Sequence, residues 1–331
     1  MSTSTASRAL NRPELVSPPV ADRVKALAEE LGYAPNPFAR SLRMQDSQTI
    51  GLIVPDNTNP FFAEVAKGVE AACFEAGYTL IFGNSERSLD KELAQARVLY
   101  EKRVDGVLVF NASDRSAPTL DWLIARDIPV VLLERHSPGP AVDAVLSDNP
   151  TGTRLAVEHL AALGHRRVGC LMGDLDANHY AERLSAFHAA VRDLGLEADA
   201  DLVRPNLVAY QDGQHAAAEL LALAHPPTAL FCANDSLAIG AIRGAAVAGR
   251  RVPEDVSVVG YGDTEVAAYV QPPLTSVVQE KLAVGAEAVR VLLRRIAARD
   301  EPTAPPTERV IPTRLAVRES TGLAPGAETT R

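Results

Sequence analysis

From Thr49 onward the chain repeats one phrase, a short run of β-branched and aliphatic residues followed by a longer stretch with helical spacing. "TIGLIVP" at 49, "YTLIF" at 78, "GVLVF" at 106 and "PVVLL" at 129 carry a first series, separated by stretches such as "PFFAEVAKGVEAACFEAG" and "LDKELAQARVLYEKR". A second series runs through "RVGCLMG" at 167, "TALFCAND" at 228 and "VSVVGYGD" at 256, with "HYAERLSAFHAAVRDLG" and "SLAIGAIRGAAVAG" between them. Strand alternating with helix predicts βαβ units and parallel sheets. Two series predict two similar α/β halves. The chain is expected to cross between them near "LSDNPTG" (146–152), near "LTSVVQE" (274–280) and after "EPTAPPTERV". Two such open sheets place their strand C-termini at one cleft, where ligands of this architecture bind.

Residues 1–48 differ in kind. "VSPPVADRVKALAEELGY" has Ser17 as N-cap, Pro18 at the first helical position, an apolar stripe of Val20, Val24, Leu27, Ala28 and Leu31, and Gly32 as the stop. Before it, "STSTASRALN" sets Ala6, Ala9 and Leu10 on one side of a short helix and Thr3, Ser4, Ser7 and Arg8 on the other. Short hydroxyl side chains and one Arg reach base edges and phosphates of a major groove without steric bulk; taken alone, they equally suit a small polar surface helix. Charge sharpens the contrast. The chain carries a net charge of −9, but residues 1–48 hold six Lys/Arg against five Asp/Glu, leaving the rest strongly anionic. Only this N-terminal segment is not repelled by nucleic acid.

Three cysteines, Cys73, Cys170 and Cys232, lie far apart with no CxxC spacing, which points to buried thiols in a reducing cytoplasm. No signal peptide and no membrane-length apolar run is visible, so the expected location is cytoplasmic with no membrane partner. Catalysis finds no motif. GxSxG and HExxH are absent, "GYGDTE" lacks the third Gly of a dinucleotide fingerprint, and the histidines, among them His159, His165 and His179, have no metal spacing; most read as surface or cap residues, and the "GH" of "LGHRRVG" as the end of one helix leading into the next strand. Neither a cofactor nor a metal is expected.

Eight stretches, in order, resemble the lactose/galactose-repressor family of bacterial regulators: "STSTASRALN", "VSPPVADRVKALAEELGYAPNPFARSLR", "TIGLIVPDNTNPFFAEVAKGVE", "RVDGVLVF", "SDNPTGTRLAVEHLAALGHRRVG", "ANDSLAIGAIRGA", "VPEDVSVVGYGDTEVAAYVQPPLTSVVQE" and "IPTRLAVREST". The resemblance implies a helix-turn-helix within 1–35, a hinge helix and linker at 36–48, and a two-lobed effector domain like the periplasmic sugar-binding proteins. Its lobes would be 49–149 with 279–310, and 150–278 with 311–331. It further implies a homodimeric regulator, a repressor, that grips palindromic operator DNA and answers to a sugar or sugar derivative between the lobes. On the DNA side, Thr3, Ser4 and Arg8 would face bases, and Ser2, Thr5, Ser7 and Asn11 mainly phosphates. Leu42 would wedge the minor groove beside Arg40. The first helix of the helix-turn-helix has no counterpart in "MSTSTASRALN"; some fifteen further upstream residues are expected, with Met1 standing where the family has Val.

On the effector side the same resemblance implies Asn59, Phe61 and Phe62 from "PDNTNPFF", Glu134 and Arg135 from "LLER", Arg183 from "HYAERLSAF", Asn234 and Asp235 from "CAND", and Gln279 from "VVQE". Two departures stand out. "VGYGD" has Gly262 where the family has a ligand-binding Asp, with Asp263 in the next place facing the structure, and "LLER" has Glu134 in place of Asp. A missing charge-assisted acceptor removes about 1.5–3 kcal/mol. Two other readings compete with the regulator. One is a sugar-binding module of the same fold that does not bind DNA. The other is a hydrolase, for which a glycosidase would need two carboxylates about 5–9.5 Å apart, with Glu134 and Asp235 as candidates.

Overall fold

The computed structural model describes residues 2–11, 13–32, 47–110, 117–137, 141–197, 199–299 and 305–326. Its contacts divide the chain into two units, Met1–Gln48 and Thr49–Arg331. The hinge candidates Arg40 and Leu42, with the "PFARSLR" helix around them, lie outside the described residues.

In the first unit, α1 (Thr3–Asn11) and α2 (Pro18–Glu30) are joined by a single 3-10 turn, Pro13–Leu15. The Ser2 hydroxyl starts α1, accepting from the Thr5 amide at 3.2 Å. Ser17 precedes α2 in extended conformation as expected, but its side chain makes no cap hydrogen bond; Pro18 alone presets the first turn. Gly32 takes a left-handed φ of 59° after the helix. The helices meet through small side chains. Ala9, Ala21 and Val24 are buried, whereas Leu27 and Leu31 of the expected stripe are exposed.

The second unit holds two six-stranded sheets. The first orders β1 (Thr49–Val54), β2 (Thr79–Asn84), β3 (Gly106–Val109), β4 (Val130–Leu133), β5 (Asp143–Ser147) and β11 (Glu308–Ile311) as β11-β5-β4-β3-β1-β2, every pair parallel. The second orders β6 (Val168–Leu171), β7 (Val203–Arg204), β8 (Ala229–Cys232), β9 (Ser257–Gly262), β10 (Thr275–Val278) and β12 (Arg314–Ala316) as β12-β10-β9-β8-β6-β7, antiparallel only at β10 and β12. Between strands run α3 (Pro60–Glu75), α4 (Leu89–Glu101), α5 (Ala117–Ile124), α6 (Asn149–Ala162), α7 (Asn178–Asp193), α8 (Tyr210–Leu221), α9 (Asp235–Val247) and α10 (Lys281–Ala297). The chain passes between sheets after β5, after β10 and between β11 and β12. "LTSVVQE", read above only as a crossing, is itself strand β10 leading into one.

Unbroken apolar runs make the strands because helices cover both faces of each sheet. The side-chain period of two then divides every run between two cores. In the first sheet Ile50, Leu52, Leu108, Val131 and Leu133 turn to one face, and Ile53, Val107, Val109, Val130 and Leu132 to the other. On the first of these faces α3 and α10 touch nearly backbone to backbone, since a Cβ on Gly68 would lie 2.6 Å from the Leu282 carbonyl oxygen. That contact fixes the middle of α3 against the first turn of α10. The three cysteines are buried and unpaired, and among the described residues no helix is long and apolar enough to cross a membrane.

Candidate functional site

Strand C-termini from both sheets open onto one cleft, the place where ligands of open α/β sheets bind. All nine effector candidates line it: Asn59, Phe61, Phe62, Glu134 and Arg135 from the first sheet's side, Arg183, Asn234 and Asp235 from the second, and Gln279 at the crossing into α10. The aromatic wall is a trio. Phe61, Phe62 and Phe110 meet edge to face at centroid distances of 5.1–6.4 Å, a geometry set by the ring quadrupoles.

The two asparagines owe their places to helix starts. The amide oxygen of Asn59 accepts from the Phe61 N–H at 3.0 Å to cap α3, and that of Asn234 accepts from the Leu237 N–H at 2.9 Å to cap α9. The Asn234 Nδ2 then donates to the Tyr180 hydroxyl at 3.2 Å.

Arg183, on α7, is buried and held on three sides. Its Nε donates to Asn149 Oδ1 at 2.9 Å, Nη1 to the Ala233 carbonyl at 2.6 Å and Nη2 to Gln279 Oε1 at 3.3 Å. Its guanidinium lies 3.7 Å from the Tyr261 ring centroid, the stacking that suits a planar cation. Gln279 in turn donates to Glu134 Oε2 at 2.9 Å, while the Ser147 hydroxyl donates to Glu134 Oε1 at 2.7 Å. The chain Arg183–Gln279–Glu134–Ser147 therefore ties both lobes together at the cleft floor.

Burial pushes the Glu134 carboxyl up, against the pull of Ser147 and Arg183. Burial also pushes Asp235 up, although three donors oppose it: the Thr264 N–H at 2.6 Å, the Thr264 hydroxyl at 2.9 Å and the Ser276 hydroxyl at 2.6 Å. Asp235 lines the cleft as expected, yet both of its oxygens are spent on the protein.

Gly262 ends β9 at a φ of 121°. A Cβ there would point between Asp235 Oδ2, at 3.5 Å, and Phe61, at 3.7 Å. Its carbonyl accepts from the buried Lys281 Nζ at 2.5 Å. Asp263 turns away from the cleft to pair with Arg318 at 2.6 Å.

Sequence reasoning missed Phe110, His179, Tyr180, Tyr261 and Thr264. His179, read as a surface or cap residue, lines the cleft with its Nδ1 buried. Burial, then the Arg135 and Arg183 cations, hold its pKa well below the ordinary range, so it is neutral. The signal was present: residues 179, 180 and 183 fall on one face of a helix at i, i+1 and i+4, so placing Arg183 in the cleft brings the other two with it. His165, read as the end of one helix leading into the next strand, lies there between α6 and β6 and is fully buried, between Thr228, Ser257 and the Gly322 carbonyl.

In the N-terminal unit, Thr3, Ser4, Thr5, Ser7, Arg8 and Asn11 all lie on α1. Arg8 is exposed in the helix's last turn. The hydroxyls of Ser2 and Thr5 lie 2.9 Å apart and bond each other. The side chains of Thr3, Ser4, Ser7 and Asn11 lie outside the described residues.

Comparison with known proteins places both units. A family described as periplasmic binding protein-like domain matches residues 157–321, and one described as bacterial regulatory proteins, lacI family, matches residues 1–36. The HTH-type transcriptional repressor PurR of Aliivibrio salmonicida is 39% identical over 89% of this chain and 89% of its own. Among solved structures, the transcriptional regulator CelR in complex with cellobiose is 35% identical, with a TM-score of 0.77 over 95% of this chain and 94% of its own. The lac repressor dimer bound to operator and the anti-inducer ONPF is 27% identical, with a TM-score of 0.86 over 97% of this chain and 96% of its own. With that identity sustained over nearly nine-tenths of both chains, and both units matched, this chain belongs to the lacI family of bacterial regulatory proteins and is a DNA-binding transcriptional regulator.

Proposed function

We propose that this regulator is a homodimeric repressor whose grip on a palindromic operator is set by a small molecule bound between the two lobes of residues 49–331, with α1 reading the major groove. The observation that supports this most is the convergence of nine side chains from five separate stretches on one cleft at the strand C-termini. The chain Arg183–Gln279–Glu134 spans that cleft, so a ligand that exchanges any of these bonds changes how the lobes sit, and differential affinity for two lobe arrangements is what allosteric control requires. On this reading Arg8, exposed on α1, contacts a guanine or a phosphate, and no catalytic step is involved.

The test uses duplexes selected from a random pool by the full chain. Selection should yield a palindrome, as a two-fold dimer demands. Arg8→Ala should weaken binding to it by about tenfold or more, the worth of one bidentate base contact of about 1–3 kcal/mol. A pool that stays unenriched would leave a binding module with no operator and overturn the proposal.

A further inference from the structure

We infer that a proton on His136 clamps the two lobes to each other beside the cleft, and so makes their arrangement sensitive to pH. His136 follows β4, just beyond Glu134, and lies where the first lobe meets α7 of the second. Its Nδ1 is 2.8 Å from Oε1 of Glu308, on β11 of its own lobe, and its Nε2 is 2.9 Å from Oε1 of Glu182, on α7 of the other. A neutral imidazole has one N–H and one lone pair, so it donates to one of these acids and turns its lone pair on the other; the imidazolium donates to both. The bridge is therefore complete only when the ring carries its second proton. α7 adds a bond of its own, from Asn178 Nδ2 to the His136 carbonyl at 3.1 Å. The imidazole is partly exposed, so solvent protons reach it without unfolding.

The charges that face the ring favour that proton. They are Glu308 from β11 and Glu182 from α7, and among the described residues neither acid pairs with any other cation. α6 reaches the cluster through Asn149, whose Nδ2 donates to Glu182 Oε2 at 3.0 Å. The guanidiniums next in sequence, Arg135 beside His136 and Arg183 beside Glu182, both line the cleft. Burial opposes the charged form, but the Glu308 bond and the charges of both acids outweigh it and raise the ring above its ordinary 6.5. The clamp is thus fully formed below that pH and is lost as pH climbs through the raised value. It also reaches the cleft. The same Asn149 side chain accepts from Arg183 Nε at 2.9 Å, so Glu182 and the guanidinium bonded to Gln279 share one amide. A ligand that moves Arg183 therefore meets a resistance set by the proton on His136.

Histidine-ring NMR on the full chain reads the clamp directly. The His136 resonance, assigned by its loss in His136→Gln, should titrate above 6.5. In Glu182→Gln its titration point should fall, because an acid that raises it sits on the other lobe. A wild-type titration at or below 6.5, or one unmoved by Glu182→Gln, would overturn the inference. The regulatory consequence rests on the proposal that lobe arrangement sets operator binding, and it is measured apart, on the selected duplex at about pH 6 and about pH 8.5. Affinity should differ by about fivefold or more, the change that follows when His136 holds its proton that many times more tightly in the bridged arrangement than in the released one. His136→Gln should remove the difference. Either sign supports the inference, and the sign tells which arrangement grips DNA. A raised, Glu182-dependent titration with operator affinity flat across pH would keep the clamp and remove lobe control of DNA. A pH dependence that survives His136→Gln undiminished would place the controlling proton elsewhere and overturn the role given to His136.

Discussion

The two lobes share one strand order, and strands β4 and β9 hold equivalent places in it, yet their ends do opposite things with a carboxylate. Each is followed by an acidic residue at positive φ, Glu134 at 58° and Asp263 at 48°. This conformation is uncommon for a side chain other than glycine. Glu134 follows its strand directly and enters the cleft, where Ser147 and Gln279 hold it. Asp263 also follows its strand directly, after Gly262, but leaves the cleft for Arg318. Two acids in the same place after equivalent strands, both at positive φ, thus take different partners, one inside the cleft and one outside it. The first lobe contributes aromatic surface, a tethered carboxylate and Arg135, and the second contributes Arg183.

The largest asymmetry to break is that cation. Arg183→Ala removes a buried guanidinium and strands the Asn149, Ala233 and Gln279 oxygens, for a loss of about 3 kcal/mol in the urea unfolding of the full chain, together with loss of any cleft-ligand stabilisation. A loss below about 1 kcal/mol would mean that water replaces all three bonds, and that the second lobe does not depend on its cation. Next comes the glycine. A Cβ at Gly262 meets only ordinary contacts at 3.5 and 3.7 Å, so Gly262→Ala probes backbone conformation alone. A φ of 121° disfavours any side chain by about 1–3 kcal/mol. An unchanged urea midpoint would show that the end of β9 relaxes freely and that the difference between the lobes is not enforced there.

The third contrast lies in pH. Glu134's carboxyl is raised in the folded chain, by burial above all. In the unfolded chain it ionises near its ordinary value of 4.5. Above that pH the unfolded state releases a proton that the folded state still holds, so stability falls as pH climbs through the folded pKa. Asp143 of the same lobe runs the other way. Despite burial, Arg295 and Thr307 lower it below 3.8, and it contributes stability that is lost only as pH falls below that value. Glu134→Gln should therefore flatten the decline on the neutral side and leave the acid limb in place. An identical pH–stability curve for the variant would mean that Glu134 is ionised throughout.

The comparison also marks what the sequence could convey. The strands were legible because a run buried on both faces has no polar member, as in "TIGLIVP" and "PVVLL". β5 and β10 were not singled out, since Asp143 and Ser147 bracket one, and Thr275 and Ser276 open the other. Those polar residues are buried because each has a polar partner: Asp143 with Thr307, Ser147 with Glu134, Thr275 with Thr321, Ser276 with Asp235. Such partners lie up to 164 residues apart, beyond what local pattern can reveal. Resemblance placed the effector candidates at the cleft, but it could not tell that the Asp235 oxygens would be spent on Thr264 and Ser276, nor that His179 would turn inward.

The smallest effect expected is at the outward acid. Asp263 and Arg318 keep side-chain exposures of 15% and 24%, so water screens their attraction and a pair of this kind contributes at most about 1 kcal/mol. Arg318 also donates to the Leu274 carbonyl at 2.7 Å, so Arg318→Ala alone would mix two losses. A double-mutant cycle with Asp263→Asn isolates the ion pair. The coupling should stay within about 1 kcal/mol and shrink with salt, while the cleft's ligand preference is unmoved. A coupling several times larger, or a changed ligand preference, would show that the pair beyond β9 sets the position of Gly262. The outward acid would then serve the cleft through the backbone, as Glu134 serves it directly.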